Sequence, residues 1–551
     1  MMNDISVLIG GKAGDGINRA GITIARMFAA YGYRLYMYYD YPSLIRGGHN
    51  FSIIRATPNK IGTHHSTVDF LLALDQNTIR THADRCTGNT VTIYNSDTVR
   101  AEGTGVPIDT ITKEEGGIPI MTNSCLIGAF CGAAGIGWDT VETVLRKEIP
   151  REIEKNLAIA KRGYELVPPE RGVPRIRQEI LPIISGNEAI CLGLLHGGLD
   201  AYVAYPMTPS SSALHFLAAH AEDFSLKVVH PESEIAVMLM AQGFAYAGLR
   251  TAVGTSGGGF CLMTEGLSMA GMTETPVTVF VSQRGGPSTG TPTYTAQGDL
   301  HFILHAGHGE FPRFIFAPGD AEQAFEWSVR AINLSWKYQV PSFILADKSL
   351  SEGIYSFEKA VLEPIPQETP PEWNGELPYR RYADTPTGVS PLVPVPTENA
   401  VVKVNSYAHD EDGFTTELPE RVSWLHEKKL RKVPRMQEEI DSIPSMLIEG
   451  TLDSGVALLC WGSNLGVCWE AADDLGLGII QPIALSPFPK NQCTAALRGV
   501  ETLISVEDNS TGQLASLLAH EGFHVDNTIL RYDGRPFSLE ELEAKISEVV
   551  A

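Results

Sequence analysis

The sequence predicts an α/β protein made of three α/β units in series. Three observations carry that reading. The chain opens with a strand, a glycine-rich loop and a helix in that order. From about residue 179, short β-branched runs alternate with helical patterns, the order of a parallel sheet covered on both faces. After a proline-dominated stretch the same alternation resumes at Gly455-Val-Ala-Leu-Leu-Cys-Trp461 and runs to the end. At 551 residues the chain has room for three or four domains, taking about 150 residues for each.

Each element follows in turn. Ile5-Ser-Val-Leu-Ile9 reads as a strand, and a helical pattern spans Ile17 to Tyr31. Pro168, Pro169 and Pro174 mark a linker, so the first domain is placed at 1–178. The second, 179–352, holds the strand-like runs Ala201-Tyr-Val-Ala-Tyr205, Thr251-Ala-Val-Gly-Thr255 and Val277-Thr-Val-Phe-Val281. Residues 353–451 form a connecting segment. Its prolines, from Pro364 to Pro396, predict an extended tether or an arm draped over a surface. A charged helix is expected near Leu418 to Ser442, and the last domain covers 452–551.

The net charge of −23 argues against nucleic acid and anionic membrane surfaces as partners, since both require a basic face. The eight cysteines include no C-x-x-C pair and no histidine at zinc-ligand spacing. They read as reduced thiols of a cytoplasmic protein, and an iron–sulfur cluster held by this chain alone is not expected. The first residues do not resemble a signal peptide. Apolar runs such as Val277-Thr-Val-Phe-Val-Ser282 are too short to span a bilayer.

Five stretches carry chemistry. Gly10-Gly-Lys-Ala-Gly-Asp-Gly-Ile-Asn18 lets backbone N–H groups approach an anion, with a helix N-terminus behind them. It lacks the Lys-Ser/Thr pair of a P-loop. A tight βα turn with no ligand is the plain alternative, and a dinucleotide site is matched only loosely by Asp40. Tyr205-Pro-Met-Thr-Pro-Ser-Ser-Ser212 leaves a strand for a helix expected over Ala213 to Ala221, with Thr208 or Ser210 as its cap. Its hydroxyls and free N–H groups suit a carboxylate. Thr255-Ser-Gly-Gly-Gly-Phe260 and Ser282-Gln-Arg-Gly-Gly-Pro-Ser-Thr-Gly290 follow strands, where doubly wound sheets bind ligands. Arg284 can grip a carboxylate with two parallel hydrogen bonds or sit in a surface ion pair. Glu234 begins a helix that is apolar all round, hence expected to be buried. An acid in such a setting suits proton transfer; the plain alternative is a first-turn acid near the helix dipole.

Together these motifs resemble the alpha subunit, in its fused γ–α form, of the 2-oxoacid:ferredoxin oxidoreductases, and most of all the 2-oxoglutarate type. The likeness spans nearly the whole chain. The loop at 10–18 resembles the γ domain, whose relatives bind coenzyme A phosphates there. The four motifs between 205 and 290 resemble the pyrimidine-binding domain of a thiamine diphosphate enzyme. Trp461-Gly-Ser-Asn464, Pro487-Phe-Pro489 and Val506-Glu-Asp-Asn-Ser-Thr-Gly-Gln-Leu514 resemble a transketolase C-terminal-like domain.

The resemblance implies roles. Glu234 falls on the acid that bonds the aminopyrimidine, Thr208 on the hydroxyl that binds the oxoacid carboxylate, and Arg284 on its partner arginine. Gly11, Gly14, Asp15, Gly16 and Asn18 fall on the coenzyme A loop. Ser210, Arg46 and His49 are weaker candidates for substrate contact, the last two for a second carboxylate. The reaction implied is coenzyme A-dependent oxidative decarboxylation of a 2-oxoacid to acyl-CoA and CO2, with ferredoxin reduced. Pyruvate or branched-chain oxoacids are alternatives to 2-oxoglutarate. The chain carries no credible magnesium–diphosphate motif, because Gly14-Asp-Gly16 lacks a suitably placed Asn. A beta subunit is therefore expected to bring Mg2+ and a [4Fe–4S] cluster, in an (αβ)2 heterotetramer. A nicotinamide-dependent dehydrogenase and a non-catalytic paralogue are the rival readings.

Overall fold

The computed structural model describes residues 3–43, 48–362, 364–451 and 454–550. The chain divides into two compact units: residues 1–185, 352–359 and 537–551 form the first, and 186–351 with 360–536 the second. Among the described residues no helix is long and apolar enough to cross a membrane.

The first unit is built on an eight-stranded mixed sheet. Its centre is Ile5–Lys12, parallel to Val68–Ala73 on one side and antiparallel to His49–Thr57 on the other. Such a central strand is buried on both faces, which explains its unbroken apolar run. The helix Ile17–Ala30 packs on it through Ile17, Ile24 and Phe28. Two late segments return to this unit. Ile354–Ser356 pairs with Arg34–Asp40. The C-terminal helix Leu539–Val550 is tied down by Glu540, whose carboxylate accepts from the Ser66 N–H at 2.8 Å and meets His65 at 2.7 Å.

The second unit contains two sheets. In the seven-stranded sheet, Phe314–Phe316, Pro341–Asp347, Val277–Gln283, Thr251–Thr255, Ala201–Ala204 and Lys227–Val229 lie side by side and parallel. All these strands therefore end at the same edge. Ala484–Ser486 joins antiparallel beside Phe314–Phe316. The five-stranded sheet is parallel except for its edge strand Met446–Gly450. Gln297 ties the two sheets together: its amide donates to Asp347 and to the Trp461 carbonyl, and its oxygen accepts from Asn464 and the Asp508 N–H.

The proline-rich segment lies on this unit as an arm. Arg381 donates to Gln339 and to the carbonyls of Thr273 and Glu274, and Tyr382 is fully buried. The charged helix expected over 418–442 is two helices, Pro419–Leu430 and Lys432–Ser442. Pro434 explains the break, since its ring and missing N–H cannot follow the preceding turn. Glu274 anchors both helices, meeting Lys428 at 2.8 Å and Lys432 at 2.6 Å. Burial alone would raise the Glu274 pKa, but Lys428, Lys432 and Arg381 hold it well below the usual carboxylate range.

Candidate active site

The site assembles at the carboxyl ends of the parallel strands, around the N-terminus of the helix Gly257–Thr273. Its three opening glycines allow close approach from three sides. A side chain at Gly257 would strike the Asp299 carboxylate, one at Gly258 would meet the Ser288 carbonyl and the Met207 methyl, and one at Gly259 would press on Thr255 and Glu234. All the motifs between 205 and 290 thus meet at one helix end.

Glu234 is the first residue of the helix Glu234–Tyr246. Ser233 caps that helix, its hydroxyl accepting from the Ala236 N–H at 3.4 Å. The acid is therefore not needed as the cap. It is only 6% exposed, and its carboxyl makes no hydrogen bond or ion pair among the described residues. A carboxyl this little exposed and without a protein partner is free to meet a ligand that presents a donor nitrogen. The helix behind it departs from expectation. Its face with Val237, Met238 and Ala241 is buried, but Ile235, Leu239, Met240 and Tyr246 are exposed. An apolar helix in the sequence is buried on one face only within this chain.

Thr208 sits in the turn before the helix Ser211–Ala219 and is half-buried. Arg284, at the end of the strand Val277–Gln283, donates from Nη1 to the Thr208 carbonyl at 2.8 Å. The structure thus couples the two residues directly, and it leaves the Thr208 hydroxyl without a partner among the described residues. Asp299 lies beside them. Burial pushes its pKa up to about 6, with the Arg284 charge opposing that rise.

Ser210 does not cap the following helix. Its backbone is already helical, and its hydroxyl donates back to the Met207 carbonyl at 2.8 Å. Asn187 holds the turn instead, donating to the Pro209 carbonyl and to Ser212.

In the first unit the glycine loop links the central strand to the helix Ile17–Ala30. Gly14 and Gly16 have positive φ, 98° and 76°, a conformation that glycine adopts without strain. Gly11 is buried against Ile17 and Leu74. Asp15 turns inward: its carboxylate accepts from the Lys12 N–H at 2.8 Å. Burial raises its pKa, against that hydrogen bond. Asp15 therefore shapes the loop, while Asn18 is exposed. Beside the loop lies a cavity of about 580 Å³ lined by Gly16, Arg19, Asn123 and Arg151. Asn123 also donates to the Asp15 carbonyl. His49 pairs with His82, their Nε2 atoms 2.8 Å apart. Burial lowers the pKa of both, His82 to about 3, so His49 offers a carboxylate no fixed charge. Arg46 lies outside the described residues. No group of three or more metal-ligating side chains gathers among the described residues, and all eight cysteines are free.

Comparison with known proteins fits this geometry. Residues 193–427 match the family described as pyruvate flavodoxin/ferredoxin oxidoreductase, thiamine diP-bdg. Residues 6–166 match pyruvate ferredoxin/flavodoxin oxidoreductase. The 2-oxoacid:ferredoxin oxidoreductase subunit alpha of Saccharolobus solfataricus is 31% identical over 99% of this chain and 98% of its own. The chain belongs to the alpha subunits of the 2-oxoacid:ferredoxin oxidoreductases. The 2-oxoglutarate synthase subunit KorA of Methanocaldococcus jannaschii is 30% identical over 56% of this alpha subunit and 83% of its own chain. Among solved structures, 2-oxoglutarate:ferredoxin oxidoreductase from Magnetococcus marinus, with 2-oxoglutarate, coenzyme A and succinyl-CoA bound, superposes with a TM-score of 0.88. It is 28% identical and covered over the whole of both chains.

As a member of this family the alpha subunit is an oxidoreductase with a thiamine diphosphate-binding domain, and it functions in a multi-subunit enzyme. Three residues at the site escaped the sequence reading. Asn187 and Asp299 carry no motif of their own, and Gln297 lies in a loop without periodicity. Only the fold brings them to the strand ends.

Proposed function

We propose that this alpha subunit, with a beta subunit, catalyses the coenzyme A-dependent oxidative decarboxylation of 2-oxoglutarate to an acyl-CoA and CO2, reducing ferredoxin. The observation that carries the proposal is Glu234, a largely buried acid without a protein partner among the described residues, at a helix N-terminus where four motifs converge. Bound thiamine diphosphate supplies the carbanion-stabilising chemistry that protein side chains lack. Glu234 holds a hydrogen bond and a proton at the ring nitrogen of its aminopyrimidine. The Thr208 hydroxyl and Arg284 orient the oxoacid carboxylate, and the Arg284–Thr208 hydrogen bond fixes one against the other.

The preference for 2-oxoglutarate rests on the KorA subunit and on the M. marinus enzyme, whose bound compounds are the substrates and product of that reaction. Coenzyme A is assigned to the first unit, with its phosphates at the glycine loop and Arg19 and Arg151 at the neighbouring cavity. The exposed apolar face at Ile235, Leu239 and Met240 supports a beta partner seated beside Glu234. That partner brings Mg2+ and the [4Fe–4S] cluster, and the assembly is (αβ)2. Eight unpaired cysteines agree with a cytoplasmic location.

The test is purification of the chain with its partner. A brown complex that reduces a viologen dye only with coenzyme A, and faster with 2-oxoglutarate than with pyruvate or branched-chain oxoacids, is the expected result. Faster reduction with pyruvate removes the substrate assignment; reduction of a nicotinamide without coenzyme A removes the reaction.

A further inference from the structure

The second unit contains a cleft of about 600 Å³ to which the mechanism above gives no task. It opens between the helix Leu300–His305, the arm helix Lys432–Ser442 and the helix Gln513–Glu521. Its size is that of a small-molecule site, where apolar walls and a few placed polar groups are the rule. Leu304, Met436, Leu485, Phe488 and Leu517 supply the apolar wall.

Arg313 makes this cleft unusual. The residue is 8% exposed, yet no carboxylate pairs with it among the described residues. Nη1 donates to the Ile303 carbonyl at 2.8 Å, and the guanidinium lies over the Phe311 ring, 4.6 Å from its centre. Those contacts leave most of its five donors unused. Burial lowers its pKa to about 10, with no acid opposing that fall. A charge this little exposed and without a counter-ion is costly. The remaining charge in the cleft does not relieve it. Glu521 is the acid there, and it is already bound to Lys490 at 2.6 Å. The rim adds His301, His305 and His520. In a chain of net charge −23, this is a local site for an anion.

We propose that this cleft binds a small monocarboxylate with an apolar body, the carboxylate at Arg313 and the body against Leu304, Met436 and Phe488. A carboxylate matches the guanidinium fork with two hydrogen bonds, while the apolar wall favours an aryl or medium-length alkyl group over a highly charged metabolite. Neither Thr208 nor Arg284 lines the cleft.

Calorimetric titration of the full chain with phenylbutyrate, and with the uncharged phenylbutanol as control, tests this. Phenylbutyrate is expected to bind in the micromolar to low millimolar range and at least about tenfold more tightly than phenylbutanol. Arg313→Gln is expected to weaken binding by about tenfold or more. Because a buried arginine can matter for folding, Val433→Asp serves as a second variant. Val433 lines the cleft and is 38% exposed, so the change places a repelling charge without emptying the core. It is expected to reduce affinity similarly with an unchanged melting temperature. Arg284→Gln is expected to leave binding intact. Equal affinity for phenylbutanol, absence of binding at roughly 10 mM, full affinity in Val433→Asp, or loss in Arg284→Gln alone would each overturn the proposal.

Discussion

Substituting Gly259 by alanine presses on Glu234 while leaving that residue itself unchanged. The added Cβ would lie 2.2 Å from the Thr255 hydroxyl oxygen, 3.0 Å from Glu234 Oε1 and 3.2 Å from its Cγ. Ordinary contact begins near 3.5 Å, so the overlap with Thr255 is about 1.3 Å and that with Glu234 Oε1 about 0.5 Å. Thr255 is fully buried on its strand and has no solvent to swing into. Turning its side chain off its rotamer costs about 0.5–1.5 kcal/mol, and the extra methyl in a packed wall brings the total to about 1–3 kcal/mol. The alternative relief is a shift of the glycine-led helix, which moves the wall that positions Glu234. A misplacement of about 1 Å at a reacting group costs on the order of 100-fold in rate. Viologen reduction by the complex with its partner is expected to fall by about that factor, with a smaller change in KM for the oxoacid. Thr255→Ala in the same chain removes the atom in conflict and is expected to restore much of the rate. Full turnover by Gly259→Ala would refute the idea that this contact positions the acid.

Three further outcomes follow from the same structure. Glu274→Gln leaves Lys428 and Lys432 buried without their counter-charge; a loss of about 3–5 kcal/mol is expected, read as a melting temperature several degrees lower, and a shift below one degree contradicts the role given to the pair. His65 stands between Asp4 at 3.0 Å and Glu540 at 2.7 Å. Burial alone would lower its pKa, but the hydrogen bonds to Asp4 and Glu540 outweigh it and raise the value from 6.5 to about 9. The stabilisation is therefore complete below pH 6.5 and disappears as pH rises through about 9. The rise corresponds to about 3 kcal/mol, which the partial exposure of all three groups cuts to about 1–2 kcal/mol. Melting curves of wild type and His65→Gln are expected to differ at pH 6 and converge near pH 10. Arg284→Gln keeps a donor for Thr208 but not the charge, so KM for the oxoacid is expected to rise about tenfold or more, with the melting temperature unchanged; an unaltered KM removes Arg284 from the substrate site.

The parallel architecture of the second unit was legible because buried strands such as Val277–Gln283 show their burial directly in composition. The motifs were legible for a related reason. Glycines at 257–259 and at 285 have no core role that an alanine would not serve better, and each is closely approached by a neighbouring atom. What the sequence concealed was partnership over long separations. Nothing near Gln297 announces Asp347 and Asp508 as its neighbours. Nothing near Glu540 announces His65, so the return of the last helix to the first unit was not visible. The helix after Glu234 misled in an instructive way. Its composition does not separate a helix buried all round from one with an open apolar face, and the face bearing Leu239 and Met240 is open in this chain. Ser210 shows a smaller failure of the same kind, since a hydroxyl at a helix start can accept from an N–H ahead of it or donate to a carbonyl behind it, and composition does not choose between them.

The central claim is that Glu234 controls a proton on the aminopyrimidine of thiamine diphosphate. The most direct measurement is exchange of the cofactor's reactive thiazolium proton with deuterated solvent, followed by quenched NMR on the assembled enzyme. In Glu234→Ala the account predicts intact assembly and cofactor content, with exchange slowed by about 100- to 10,000-fold. Exchange at the wild-type rate in that variant would contradict it.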